Sequence, residues 1–313
     1  MAKLIPKFAT ETSLWFFESS DFLLKHKKVN KKMKLKIHEL KNKTNIIMVS
    51  KKLASLFLLV VLFASCGEYQ KALKSEDVAV KFEMATKLYD AGKYNDAIRL
   101  IEQIAPAYRG KPQAEKLFYM FSQSYYNTKQ YYLAAYQFES FVSGYPKSEK
   151  VEEAAYLGAK CFSMLSPVYS LDQVDTFKAI DKLQSFIDSY PNSTYLPEAN
   201  NSLKELNQKI EKKVYENAKG YHTILDYKSA MVALDNFIAD YPGTPFKEDA
   251  LFYKFDSAYQ LAINSIPSKM EERLNIAITA HSGLIKFKPD TKHKSIADEM
   301  MVRIETDLKN FTK

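Results

Sequence analysis

The chain has 313 residues, of which 46% are hydrophobic and 26% are charged, a composition that excludes a wholly disordered protein and allows one or two sizeable cores. The formal net charge of +8 is concentrated in the first 65 residues, which hold 13 of the 45 Lys and Arg but only 4 of the 37 Asp and Glu. The later residues are close to neutral, so the charge does not favour nucleic acid as a partner.

The segment from residue 48 to Cys66 has the order of a bacterial lipoprotein signal peptide. Two lysines precede the apolar run 53–63, and the small residues Ala64 and Ser65 precede Cys66. The end of the run resembles the lipobox, which implies that Cys66 is acylated and becomes the mature N-terminus. A transmembrane anchor is the alternative, but the run is shorter than the roughly 20 residues that a spanning helix needs.

These features divide the chain into four parts. Met48 is the natural start of the signal peptide, so the preceding residues are interpreted as an upstream misreading of the start, with a real cytoplasmic extension as the alternative. The predicted parts are the upstream extension 1–47, the signal peptide 48–65, the anchor linker 66–78 and the repeat domain 79–313.

After Cys66 the sequence predicts helices, because apolar residues recur at spacings of three and four and no alternating strand pattern is present. A helix-turn-helix pattern recurs five times, most clearly from Phe118 to Pro146, and resembles the tetratricopeptide repeat. Its second helix carries an alanine at a fixed place: Ala97, Ala134, Ala179, Ala230 and Ala277. We expect these small residues, with Gly158, to lie where paired helices approach closely.

We therefore predict an all-α fold, a tetratricopeptide-like helical solenoid of about five helix pairs plus a C-terminal capping helix. The joints "SGYPKS", "DSYPNS" and "ADYPGT" each end a helix before Pro and offer Ser or Thr to cap the next helix. The unit of residues 157–191 and the last unit carry extra residues between their helices. The capping helix has an apolar stripe: Ile296, Met300, Ile304, Leu308 and Phe311.

No catalytic motif accompanies the repeats. The sequence contains no G-x-S-x-G, no phosphate-binding Gly loop, no H-E-x-x-H and no C-x-x-C, so we predict neither an enzyme nor a metal site, and no cofactor besides the lipid on Cys66. His222, His281 and His293 each stand alone on a helical segment, where solvated or core roles are expected. Cys161 lies in an apolar helical stretch and is predicted to be a buried free thiol.

Tyrosine is abundant, with 21 residues, and part of it falls outside the repeat core. The candidates for substrate binding are Tyr119, Tyr126, Tyr132 and Tyr136, which do not occupy consensus positions. Exposed aromatic residues on a helical surface suit extended peptide segments, because each offers apolar contact and a hydroxyl. The alternative is that these rings pack against neighbouring repeats.

The lipobox, the five units, the stretch "AGKYNDAI" and the Tyr-Pro joints together resemble the BamD-type family of outer-membrane assembly lipoproteins, over nearly all of residues 66–313. The resemblance implies a scaffold without enzymatic activity, held at the periplasmic face of the outer membrane by acyl and diacylglycerol lipid on Cys66. Its function would be to assist the folding and insertion of β-barrel proteins.

The same resemblance implies the partners. They are unfolded outer-membrane barrel proteins at the N-terminal repeats, and a barrel-assembly protein with periplasmic repeat domains near residues 245–313. Another tetratricopeptide lipoprotein adaptor, acting in division, secretion or glycan capture, is an alternative. An enzyme carried on the solenoid is a further alternative, although no stretch outside the repeats is long enough to hold a catalytic module.

Overall fold

The structure, a computed structural model, describes residues 67–311. The chain divides into two units, Met1–Glu76 and Asp77–Lys313. In the first unit, residues 67–74 are helical. The predictions for the upstream extension, the signal peptide and the lipid on Cys66 lie outside the described residues.

In the second unit, the described residues form eleven α-helices and no strand, which confirms the all-α prediction. The helices are α1 (Val78–Asp90), α2 (Tyr94–Tyr108), α3 (Ala114–Asn127), α4 (Tyr131–Gly144), α5 (Val151–Leu165), α6 (Val174–Ser189), α7 (Leu196–Thr223), α8 (Tyr227–Asp240), α9 (Lys247–Ile263), α10 (Pro267–Phe287) and α11 (Lys294–Leu308). Successive helices pack on one another, so α1 to α10 form five antiparallel pairs and α11 packs on the last pair. We call the first helix of each pair helix A and the second helix B.

Small residues make the close contacts between these helices. All five alanines of the second-helix position are fully buried, at 0% exposure. On α4, Ala134 is followed by buried Phe138 and Phe141 at spacings of four and three, which is the apolar face of a helix. Gly158 of α5 lies so close to this face that an added Cβ would come within 3.2 Å of the Phe138 Cβ. The spacing between helix pairs therefore depends on side-chain volume at these positions.

In three of the five pairs, the turn from helix A to helix B has the same backbone conformation. Just after α1, α3 and α7, one residue adopts a left-handed conformation: Gly92 (φ 71°), Lys129 (φ 59°) and Leu225 (φ 65°). The next backbone N–H then donates to a carbonyl of the preceding helix at 2.8–2.9 Å, which closes the helix end. Because the helices alternate in direction, these turns lie at one edge of the solenoid and the joints between pairs lie at the other.

The joints differ from the sequence prediction in the place of their Ser and Thr residues. The N-cap residues of α5, α7 and α9 make no side-chain capping bond. The predicted hydroxyls lie two residues before each N-cap residue and accept its backbone N–H at 3.0–3.3 Å: Ser148, Ser193 and Thr244. The chain needs these two extra residues to turn from the Tyr-Pro segment into the next helix, so the hydroxyl stabilises the turn and not the helix end itself.

The joint hydroxyls also connect units that are far apart in sequence. Ser148 Oγ donates to Glu115 Oε1 at 2.6 Å, and Thr291 Oγ1, in the joint before α11, donates to Glu248 Oε1 at 2.7 Å. Ser193 Oγ makes the same bond with Glu152. Each glutamate lies in the first turn of the preceding helix A. A carboxylate on one unit thus fixes the joint that begins the next.

Two features of the helices were not predicted. Helix α7 has 28 residues. It begins directly after the preceding joint, and its C-terminal half forms helix A of the fourth pair. In the fifth pair the extra residues lengthen α9 and α10 to 17 and 21 residues and leave only 264–266 between them. In the third pair, by contrast, the extra residues form the connection 166–173.

The capping helix packs as predicted except at its first position. Ile304 is fully buried, and Met300, Leu308 and Phe311 pack around the same core as the fifth pair. Ile296 was expected in this stripe, but it is exposed. The helix turns Ala297 inward instead, because 297, 300, 304 and 308 follow the helical spacing of three and four.

Substitution of the buried alanines tests this register. Ala134→Leu and Ala230→Leu should each lower the free energy of unfolding by roughly 1–3 kcal/mol, because the added side chain overpacks a closed helix contact. Ala239→Leu is the matched control, because Ala239 lies exposed on the same helix as Ala230. Urea denaturation measures the change, and equal stability of all three variants would contradict the register.

The joint carboxylates should make stability depend on pH. Hydrogen bonds from Lys288 and Thr291 lower the pKa of Glu248 to about 2, so its ionised form is favoured in the folded state. Its contribution is therefore complete above the unfolded pKa of about 4.3 and is lost as the pH falls towards 2. Glu248→Gln should lower the urea midpoint at pH 7, and the difference from wild type should shrink as the pH falls from 5 to 2. A difference that stays constant over this range would contradict the prediction.

Candidate functional site

Tyr119, the first of the candidate tyrosines, is half-buried on α3. Its ring packs edge-on against Phe141 of α4 with 5.5 Å between the ring centroids, and its hydroxyl accepts a hydrogen bond from Gln123 Nε2 at 2.8 Å. Burial raises the pKa of Tyr119, and a hydrogen bond with Glu153 raises it further. This tyrosine is therefore a neutral, oriented ring with one edge facing the next unit.

Tyr126 lies two turns further along α3 and is also half-buried. Its ring packs edge-on against Tyr131 at 5.8 Å and against Phe138 at 6.4 Å, both on α4. Burial raises the pKa of Tyr126 as well. Much of this ring is therefore used in holding the second helix pair together.

Tyr132 and Tyr136 lie on α4 and are exposed, at 66% and 64%. They are one turn apart, on the side of α4 opposite to buried Ala134 and Phe138. The structure thus separates the four candidates into a half-buried pair on helix A and an exposed pair on helix B. The four residues therefore do not share one surface.

Tyr119 instead belongs to a surface that reaches into the third unit. Lys150 Nζ lies 5.6 Å from the centre of the Tyr119 ring and 3.0 Å from Glu153 Oε2. The ring of Tyr195 stacks on Tyr156 of α5 at 4.7 Å. Burial raises the pKa of Tyr195, and the nearby charge of Glu153 raises it further. We call the four residues Tyr119, Lys150, Glu153 and Tyr195 the helix-A strip.

The joints between units position two residues of the strip, Lys150 and Tyr195. A pattern in the sequence could have identified both. Lys150 and Tyr195 each follow a joint hydroxyl by two residues, the position that is also occupied by Phe246 and His293. In the later joints this position packs internally, since Phe246 stacks on Tyr215 at 5.4 Å and His293 stacks on Phe252 at 3.9 Å. Aligning the four joints that carry the hydroxyl would therefore have revealed a side chain that faces the preceding helix A in each of them.

The histidines have structural partners. His293 Nε2 lies 2.7 Å from Asp249 Oδ1, and His222 Nδ1 lies 3.0 Å from Ser257 Oγ. His281 packs on Phe255 at 5.1 Å, and burial lowers its pKa. Among residues 67–311, no three His, Cys, Asp or Glu side chains lie close enough together to hold a metal ion. Within the same residues, no helix has the length and apolarity that crossing a membrane requires.

Comparison with known proteins finds a similar family. Residues 74–223 match a family model described as YfiO, an outer membrane lipoprotein. The match spans 150 of the 313 residues, so the chain is similar to this family over just under half of its length. The first three helix pairs, α7 and the helix-A strip lie within the matched residues.

Individual proteins resemble the chain at lower identity. A protein of Aquifex aeolicus that carries the name of outer membrane protein assembly factor BamD is 24% identical over 83% of this chain and 85% of its own length. The outer membrane protein assembly factor BamD of Caulobacter vibrioides is 22% identical over 56% of this chain and 57% of its own length. The solved TPR2AB-domain:pHSP90 complex of yeast Sti1 is 16% identical, with a TM-score of 0.35, over 73% of this chain and 98% of that chain.

Proposed function

We propose that this chain is a lipid-anchored scaffold that assists the assembly of β-barrel proteins in the outer membrane. The observation that carries the proposal is the family match over residues 74–223, together with relatives named as outer membrane protein assembly factors. An array of helix pairs is suited to this role, because it offers an extended surface to several partners and its units are stabilised by their neighbours.

The anchor in this proposal is the lipid on Cys66. The order of basic, apolar and small residues before Cys66 supports processing at this position. A chain with two or three acyl groups on its first residue is held stably at a membrane, because burial of the acyl chains is strongly favourable. The scaffold would therefore work beside the membrane that receives its substrates.

The helix-A strip is the proposed contact for unfolded barrel segments. Tyr119 and Tyr195 offer oriented rings for the apolar and aromatic side chains of such segments, at a low cost in conformational entropy. Lys150, which is exposed, and Glu153 can bond the backbone C=O and N–H groups that an unfolded strand leaves free. Since the strip joins the second and third units, a segment that runs across the helices would meet all four residues.

The assembly machinery is proposed to bind at residues 245–313. This part of the solenoid has exposed apolar side chains on two helices, Ile276 and Phe287 on α10 and Ile296 and Val302 on α11, and it ends with the capping helix. Exposed apolar groups at the end of a solenoid are suited to a protein interface. The partner would be a barrel-assembly protein with periplasmic repeat domains.

Lipid attachment is tested on the native chain. We expect mass spectrometry of the protein extracted from membranes to find an N-terminal peptide that begins at acylated Cys66 and none that begins before it. Cys66→Ser is the control, and it should leave the leader attached. An intact Met1, or a cleaved Cys66 without lipid, would contradict the anchor.

Site-specific crosslinking tests the substrate surface. A photo-crosslinking residue at Lys150 or at Tyr195 should capture unfolded barrel proteins in cells several-fold more often than one at Tyr132 or at Tyr136. The two positions on α4 are the matched controls, because they are exposed aromatic side chains on the same solenoid but on helix B. Substitution of Tyr119 is less informative, because its ring also packs against Phe141.

Two outcomes would contradict parts of the proposal. Preferential capture at Tyr132 and Tyr136 would move the substrate surface to helix B and leave the assembly role in place. Normal levels of outer-membrane barrel proteins after depletion of the chain would contradict the assembly role itself. In that case an adaptor role in division, secretion or glycan capture would be the better account.

A further inference from the structure

The edge that carries the turns from helix A to helix B is aliphatic in the third, fourth and fifth units. Six large side chains at these turns are between 58% and 70% exposed: Val168, Leu171, Val174, Ile224, Leu225 and Ile266. We call them the turn edge. The corresponding turns of the first two units, residues 91–93 and 128–130, are small or polar. Scattered exposed apolar residues are ordinary, but a row of them on three successive turns is not.

Leu225 is the least expected member of the turn edge. It has a φ of 65°, a conformation that disfavours a side chain with Cβ, and the equivalent residues of the first two units are Gly92 and Lys129. The Leu225 side chain is exposed, so contacts within the fold do little to offset this strain. A strained residue that presents an apolar group to the outside suggests a binding role.

The connection 166–173 is held so that its apolar side chains point outward. Gln173 Nε2 donates to the carbonyl oxygens of Val168 and Leu171 at 2.9 and 2.8 Å. Lys213 Nζ, from α7, donates to the Leu171 carbonyl at 2.7 Å. Backbone carbonyls that are bonded from inside the protein carry a small penalty when water is removed from the loop. The loop is therefore prepared for contact with an apolar surface.

The composition of the turn edge favours lipid over a protein partner. Its members are Val, Leu and Ile, whereas the strongly binding residues of protein interfaces are mostly Trp, Tyr and Arg. The nearest carboxylates are engaged locally, since Asp172 accepts the Val174 N–H and Asp226 accepts the Ser229 N–H. Charges of both signs surround the edge, with Asp175 and Lys228 among them, so a strongly charged partner is not selected.

The short tether to the membrane supports the same choice. Eleven residues separate Cys66 from the first helix of the solenoid, a span of at most about 40 Å even when fully extended. Residues 67–74 are helical, which shortens the span further. A solenoid on such a tether stays within contact distance of the leaflet that carries its anchor. This step rests on the lipid attachment proposed above, but not on the assembly role.

We propose that the turn edge inserts into the surface of that leaflet and docks the solenoid on the membrane. The aliphatic tips would enter the boundary between headgroups and acyl chains, as the apolar faces of interfacial helices do. Contacts at the third, fourth and fifth units would add to the anchor and restrict the rotation of the solenoid about its tether.

Fluorescence quenching by lipids tests this docking. Full-length protein purified from membranes is labelled through Leu171→Cys or Leu225→Cys and reconstituted into vesicles of phosphatidylethanolamine and phosphatidylglycerol with a doxyl group high on the acyl chain. Labelling is specific because Cys161 is fully buried and burial raises the pKa of its thiol to about 12. We expect quenching at both positions to exceed that at the control by about threefold or more.

The control is Lys129→Cys, which has the same left-handed backbone as Leu225 and lies on the same edge, but in the polar second unit. Equal quenching at all three positions would overturn the proposal. Quenching in the vesicles that does not exceed the signal of the same labelled protein in detergent would also overturn it. Shielding of Leu225→Cys in native membranes but not in the vesicles would also overturn it, because a protein would then cover the edge. Each of these results leaves the assembly role untouched, since that role is decided by the depletion experiment.

Discussion

The hydrogen bond between a joint hydroxyl and a first-turn carboxylate is the interaction on which the arrangement of the units depends. In three joints a Ser or Thr donates to a glutamate of the preceding helix A and accepts the N–H that begins the next one. One side chain thereby fixes two backbone segments, and its charged partner makes the bond stronger than an ordinary one. The residue two positions later is then directed onto helix A.

This arrangement explains why the candidate site lies in the second and third units. The direction of the side chain after the hydroxyl is the same in every joint, but its surroundings differ. Phe246 and His293 are covered by aromatic stacking, whereas Lys150 stays exposed beside Tyr119. At α7 the position of the joint glutamate is taken by Pro197, and stacking of Phe246 on Tyr215 contributes to the joint there. Of the four residues at this position, Lys150 alone is exposed, whereas Tyr195, Phe246 and His293 are half-buried and stack on a ring of the preceding helix A.

The sequence was sufficient to predict the helix pairs, because buried alanines and aromatic residues repeat at helical spacing and Pro marks the joints. It was not sufficient to predict which side of a helix pair a surplus tyrosine faces. Tyr126 and Tyr132 are only six residues apart, yet the turn between them sends one into the α3–α4 contact and the other outward. The carboxylate partner of Ser148 is 33 residues away, so it becomes visible only after the units are aligned.

The helix-A strip and the turn edge occupy opposite ends of the helices. The helix-A strip lies beside the joints, and the turn edge lies at the other end, separated by the length of a helix of about 15 residues, or about 20 Å. A scaffold that docks by its turn edge would therefore hold the strip about one helix length away from the bilayer. This distance leaves space for an extended polypeptide to bind at the strip. The aliphatic turns begin only at the third unit, so the membrane contact and the substrate contact would overlap at α5 and α6, which carry part of each. Because units of a solenoid are stabilised by their neighbours, binding at either surface would change the stability of this shared pair first.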